Sequence, residues 1–118
     1  MKVLMVFNRE PYDSTDVTWN GLRLAGKLRE LGQEVRIFLM NDAVDMAREA
    51  CKPPEGYDQD LSQILKELIV QGVPVKVCGT CMARCGMYRN HPYFDGAEKS
   101  TMPALAEWVI DSDKVITL

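Results

Sequence analysis

The apolar residues of this chain fall into two kinds of pattern. Some stand close together in short stretches: the runs Val3 to Phe7 and Val35 to Met40, and the alternating Val73, Val75 and Val77 leading to Cys78. Runs of this length suit strands buried on both faces of a parallel sheet. Others recur at steps of three and four. Val17, Gly21, Leu24, Leu28 and Leu31 form one such set, and Leu61, Ile64, Leu65, Leu68 and Ile69 a second. Met102, Leu105, Ala106 and Val109 form a third. This is the spacing of amphipathic helices.

Punctuation between the runs supports the division. Asp16 is a candidate N-cap for the first helix, Asp60 for the second, and Ser100 or Thr101 for the last. Asn41 or Asp42 would cap a short helix running to about Glu49. Gly32 and Gly72 sit where a glycine ends a helix, and Pro103 falls in a tolerated first turn. Lys52-Pro53-Pro54-Glu55-Gly56 breaks the chain into a loop. Gly79 to Lys99 is ambiguous, with a helical turn and a weak strand near Tyr93 to Glu98. Asp113 to Leu118 reads as a final strand. The order β-α-β-α-α-β-(turn, weak β)-α-β predicts an α/β fold with a parallel sheet and helices on both faces. In such sheets ligands and reacting groups collect beyond the carboxyl ends of the strands. The segments Asn8 to Thr15, Asn41 to Asp45 and Cys78 to Cys85 would meet there.

Composition narrows the function classes. A chain of 118 residues with 47% hydrophobic and 26% charged residues has the make-up of one globular domain, residues 1–118. The net charge is −3, so gripping nucleic acid directly is not expected. The first apolar run is five residues, Val3 to Phe7, too short for a signal peptide or a membrane span. A cytoplasmic protein is expected, without membrane contact, in a compartment that keeps thiols reduced.

That setting sharpens the cysteine pattern. Three of the four cysteines lie within the eight residues Cys78 to Cys85. Cys78 ends a strand, and Gly79 and Thr80 allow a sharp turn into a helical segment. Backbone N–H groups there would favour a thiolate, with Arg84 close in sequence to add positive charge. A sulfur nucleophile at Cys78 is one reading. A Cys78/Cys81 redox pair is a second. A metal site is a third, but Cys-x2-Cys-x3-Cys lacks the second half of a structural zinc motif, and a fourth ligand would have to come from Cys51 or His91. The bland alternative makes a cysteine a small buried apolar residue, and Cys51 and Cys85 suit it best. No metal and no cofactor is expected. Neither a dinucleotide-binding glycine motif nor a phosphate-binding loop is present.

Other polar candidates have structural readings beside functional ones. Asn8, Asp13, Asp16 and Asp42 are turn formers or caps by default, and line the strand-end cleft if the fold is as expected. His91, the single histidine, precedes Pro92 in a loop. Trp19 and Trp108 mark packing on the core or on another subunit. The seven methionines read as core filler.

In order and spacing these segments resemble the DsrE/DsrF-like family and its YchN-like fold. The resemblance runs through Lys2 to Tyr12, Asn20 to Ala25, Glu34 to Val44, Lys52 to Tyr57, Val77 to Cys81 with Arg84 and Gly86, Met102 to Val109, and Asp113 to Ile116. It implies a three-layer α/β/α domain around a mostly parallel sheet of about five strands. It also implies a homo-oligomer, a trimer or hexamer. Members of known role relay sulfur as a cysteine persulfide, and the cysteine they use maps to Cys78. On that footing the expected function is a sulfur relay or sulfurtransferase-like protein, exchanging sulfane sulfur with donor and acceptor proteins. Cys78 and Cys81 would carry the chemistry, with Asn8, Asp42, Gly79, Thr80, Arg84 and Cys85 lining the site. The chain departs from the best-known relay proteins in having Cys81 and Cys85. That keeps open a redox protein, or a non-catalytic oligomeric binding module for a small ligand or metal.

Overall fold

Every strand of the sheet runs in the same direction. In a computed structural model, which describes residues 1–84 and 93–118, the strands are β1 (Lys2–Phe7), β2 (Glu34–Leu39), β3 (Val75–Cys78), β4 (Ala97–Ser100) and β5 (Lys114–Thr117). They lie in the order β4-β3-β2-β1-β5, all pairs parallel. The central strand β1 is buried from Val3 through Phe7, as its unbroken apolar run requires. The helices are α1 (Val17–Glu30), α2 (Leu61–Val70), α3 (Gly79–Arg84) and α4 (Met102–Asp111), with a 3-10 segment at Asn41–Ala47.

Helix α1 buries Thr18, Gly21, Leu22 and Ala25, so its buried stripe is offset from the expected one. Leu24 and Leu31 of the expected stripe are exposed. The close approach of α1 to β1 is the reason: an added Cβ on Gly21 would come within 2.6 Å of Phe7 Cε1 and 2.7 Å of Leu118 Cδ1. Helix α2 follows the expected stripe, with Leu61, Leu65 and Leu68 buried. The Asp60 side chain caps it by accepting from the Gln63 N–H at 3.1 Å.

Helix α4 packs differently. No residue on it is fully buried, although Pro103, Leu105, Trp108, Val109 and Ile110 make it apolar. It is fixed through Trp108, whose ring meets Phe38 edge-on at 6.2 Å. Arg36 and Lys76 lie over the same ring at 5.2 and 4.5 Å. Arg36 also pairs with Asp111 at 3.1 Å and donates to Ser112 Oγ at 2.7 Å. Thr101 caps α4 through its hydroxyl, which accepts from the Ala104 N–H at 3.3 Å.

Two expected caps do not form. Asp16 sits at the start of α1 without capping it, and its carboxylate accepts instead from the Tyr57 hydroxyl at 3.4 Å. The 3-10 segment has no side-chain cap from Asn41 or Asp42. The weak strand lies later than expected, at Ala97–Ser100, while Tyr93 makes only an isolated bridge to Arg48.

Two glycines of α1 give a paired test of this packing. Gly21→Ala is expected to destabilise the fold by about 1–3 kcal/mol, because its methyl meets a filled core. Gly26→Ala has only Leu68 Cδ2 at 4.0 Å in its way. It is expected to stabilise by about 0.5–1 kcal/mol through helix propensity. Urea denaturation of the two variants checks the sign of each.

Candidate functional site

Parallel strands in register end at one edge, so residues far apart in sequence become neighbours there. Phe7 is paired with Leu39, Leu39 with Val77, and Val6 with Thr117. The residues just past these ends are linked by one continuous chain of hydrogen bonds. The Leu118 carbonyl accepts from the Asn8 backbone N–H at 2.9 Å and from Asn8 Nδ2 at 3.3 Å. Asn8 Oδ1 accepts from Asn41 Nδ2 at 3.0 Å. The Asn41 backbone N–H donates to Cys81 Sγ at 3.2 Å. The Cys81 backbone N–H donates to Cys78 Sγ at 3.4 Å. The path crosses the ends of β5, β1, β2 and β3 and finishes at the two sulfurs.

Local sequence explains each link. Cys78 is the last residue of β3, and its sulfur takes the N–H three residues on, where an N-cap oxygen would sit. Gly79 then turns the chain beside β4. A Cβ there would lie 2.9 Å from Lys99 Cε and 3.1 Å from the Ser100 carbonyl oxygen. Asn41 follows extended Met40 with φ of 51°, a left-handed conformation that asparagine adopts more readily than most residues. Extended Met40 directs the Asn41 N–H at Cys81, and the left-handed angle of Asn41 directs its side chain at Asn8.

Both sulfurs are shielded: Cys78 is 5% and Cys81 8% exposed. Beside them runs an open groove of about 550 Å³, lined by Gly79, Thr80, Ala83, Lys99, Thr101 and Met102 among others. Thr80 is exposed on the groove side of α3. A second pocket of about 380 Å³ opens among Arg29, Gln33, Arg36, Gly72 and Pro74, near the starts of β2 and β3 and away from the sulfurs.

Of the expected site residues, Cys78, Cys81, Asn8 and Gly79 come together at this edge, with Thr80 on the adjoining groove. Asp42 is exposed in the first turn of the 3-10 segment. Cys85 and His91 lie outside the described residues, as does the Arg84 side chain. Among the described residues no three His, Cys, Asp or Glu side chains are grouped to hold a metal ion. Asn41 is the residue that the sequence reading treated only as a cap. An asparagine directly after a strand is also a signal for a left-handed turn, and that signal was available.

Cys51 lies elsewhere. It is buried near Ser62, Asp45, Arg48 and Asp60, and burial pushes its thiol above the ordinary range despite the Ser62 hydroxyl bond. An inert structural thiol fits that setting. The loops at this end are tied by Tyr12, whose hydroxyl donates to the Gln59 carbonyl at 3.3 Å and accepts from the Leu61 N–H at 3.0 Å.

Comparison with known proteins agrees with the fold. The model of the DsrE/DsrF-like family matches residues 1–118. Protein YchN of Escherichia coli K12 is 42% identical over 118 residues, covering 98% of this chain and 97% of its own. An uncharacterized protein of Methanocaldococcus jannaschii is 32% identical over 117 residues, covering 99% of each chain. The crystal structure of the E. coli ychN protein superposes with a TM-score of 0.88 at 41% identity, over 100% of this chain and 99% of that one. A protein of unknown function from Methanobacterium thermoautotrophicum shares the fold, with a TM-score of 0.68 at 18% identity over 99% of this chain and 98% of that one.

The Cys51 setting predicts an alkaline response. Unfolded, this thiol loses its proton near its ordinary value of 9.0; folded, it holds the proton to higher pH. Above that value the native state therefore binds more protons than the unfolded one, and stability falls as pH rises. The Tyr12 hydroxyl, also raised by burial, adds to the fall above its ordinary 10.0. Urea midpoints taken between about pH 8 and 11 should decline beyond the thiol value, and Cys51→Ala should flatten the first part of that decline. An unchanged slope in Cys51→Ala would contradict the assignment.

Proposed function

The chain belongs to the DsrE/DsrF-like family, and from that premise we propose that it carries sulfane sulfur as a persulfide on Cys78. In this reading Cys78 accepts the sulfur from a donor protein and passes it to an acceptor. The observation that carries it is the Cys78 sulfur, which ends β3 and accepts the Cys81 backbone N–H at 3.4 Å. The backbone N–H holds the Cys78 sulfur at the strand end, next to the groove through which a sulfur donor or acceptor would approach. Burial keeps water and stray oxidants from the adduct. A cytoplasmic setting, where reduced thiols persist, belongs to the same reading. No helix among the described residues is long and apolar enough to cross a membrane.

A homo-oligomer, a trimer or hexamer, is part of the proposal. Helix α4 is apolar, yet Val109 is 42% and Ile110 85% exposed, and Val115 of the edge strand β5 is 41% exposed. A second copy of the chain is the occupant that suits these residues, since a domain this small gains much by association.

A Cys78/Cys81 dithiol–disulfide couple is the second reading. It is favoured by the two sulfurs ending the same hydrogen-bonded chain.

Mass spectrometry separates the two. After incubation with a small sulfane-sulfur donor under argon, the intact mass should rise by about 32 Da, one sulfur atom, and Cys78→Ser should abolish the rise. An adduct that survives Cys78→Ser overturns the persulfide reading. Light scattering should return a multiple of 13.3 kDa, reduced towards the single chain by Ile110→Asp. A single-chain mass for the unmodified protein at micromolar concentration contradicts the oligomer.

A further inference from the structure

The second thiol has a support that the persulfide reading does not use. Cys81 Sγ accepts the Asn41 backbone N–H at 3.2 Å. That N–H is fixed by two features. Asn41 is held at φ of 51°, off the ordinary helical and extended regions. Its side-chain amide is clasped by Asn8 Oδ1 at 3.0 Å, and Asn8 is itself anchored by two bonds to the Leu118 carbonyl. A left-handed turn costs backbone strain for any residue with a Cβ. The Asn41 side chain makes no cap bond to the 3-10 segment that follows and is spent on Asn8. What the angle does accomplish is to relate the Asn41 side chain to its own N–H, so that Asn8 clasps the one while the other meets the Cys81 sulfur. Meanwhile the Cys81 N–H is set on the Cys78 sulfur.

We propose that Asn41, clasped by Asn8, is a positioning residue that holds Cys81 as the resolving thiol for sulfur carried on Cys78. The proposal rests on the persulfide reading. The Cys81 thiolate attacks the inner sulfur of the Cys78 persulfide. A bond forms between the two Sγ atoms, and the bond from the inner to the outer sulfur breaks. The outer sulfur leaves with the electron pair as hydrosulfide, taking the persulfide proton. The sulfane sulfur is reduced to sulfide and the two cysteine sulfurs are oxidised to a disulfide, so no outside oxidant is consumed. A dithiol reductant returns the pair to its starting state. Cys78 would thus have two outlets, transfer to an acceptor and release as hydrosulfide, and Asn41 sets the speed of the second.

The test loads the full-length protein with inorganic polysulfide, removes the excess, and follows intact mass and released hydrosulfide. The unmodified chain is expected to pass from the loaded mass to a form about 2 Da below the reduced protein, with hydrosulfide released. Peptide mapping should join Cys78 to Cys81. Cys81→Ser should load equally and keep its sulfur. Asn41→Gly suits the same backbone angle and keeps the N–H, but loses the clasp. It and Asn8→Ala should load equally and release at least about fivefold more slowly, the effect of one net hydrogen bond. Asn8→Asp keeps an oxygen for Asn41 Nδ2 and should restore most of the rate. A merely structural role would lower stability without separating release from loading.

Release at the parental rate from Cys81→Ser overturns the proposal, as does a disulfide mapped to Cys81 and Cys85. Parental release from both Asn41→Gly and Asn8→Ala overturns the role of Asn41. A separate measurement covers failure of the persulfide reading itself. With oxidised dithiothreitol as the driver, formation of the Cys78–Cys81 disulfide should slow by the same factor in Asn41→Gly and Asn8→Ala. Equal rates there overturn the positioning role even if no variant ever loads sulfur.

Discussion

The parallel direction of all five strands is the constraint from which the rest follows. A parallel sheet buried on both faces needs continuous apolar strands, and Val3 to Phe7 and Ile37 to Leu39 supply them. Those runs fix the register, and the register delivers every strand's carboxyl end to one edge. Strand interiors can hold only apolar or fully bonded groups, so the first polar residues past each end collect there. Asn8, Asn41, Cys78 and Leu118 are distant in sequence and joined by hydrogen bonds in space. The chemistry at the edge is therefore tied to core packing. A shift of β2 by one residue would move Asn41 off Cys81 and turn the strand's apolar side chains to the wrong face.

The two faces of the sheet are finished differently. On one, α1 and α2 pack closely, and Gly21 lets α1 sit against Phe7. On the other, α4 rests on Phe38 through Trp108, flanked by the cations of Arg36 and Lys76. Arg36 is mostly buried, with its side chain 14% exposed, and meets Asp111, Ser112 Oγ and the Trp108 carbonyl. Removing a partner from such a buried charge costs more than its contacts contribute. The outer side of α4 keeps apolar residues at the surface. The same chain thus has a face sealed by its own helices and a face whose helix leaves Val109 and Ile110 at the surface.

Much of this was legible in the sequence. The order of strands and helices followed from the two apolar periods, and Asp60, Thr101, Gly32 and Gly72 marked helix ends correctly. Cys78 was placed at a strand end by Val73, Val75 and Val77 before it and the Gly79-Thr80 turn after it. The misses share a cause: periodicity counts side-chain polarity and not contact distance. It put Leu24 in the core because it is apolar, whereas the close packing of Gly21 on Phe7 rotates the buried stripe to Leu22 and Ala25. It likewise read the apolar side of α4 as buried, where a single domain leaves it open. Asn41 was taken for a cap because asparagine after a strand suits both a cap and a left-handed turn. The choice between them depends on Asn8 and Cys81, which lie 33 and 40 residues away. No local window contains that information.

In the proposed function Cys78 is the sulfur-accepting atom, with Cys81 held behind it and Cys51 inert. Peptide-level mass spectrometry after one equivalent of isotopically labelled cysteine persulfide tests it most directly, with the reaction quenched at successive times. The label is expected first on the peptide holding Cys78 and never on Cys51. First appearance on Cys81, or an even spread that includes Cys51, would contradict it.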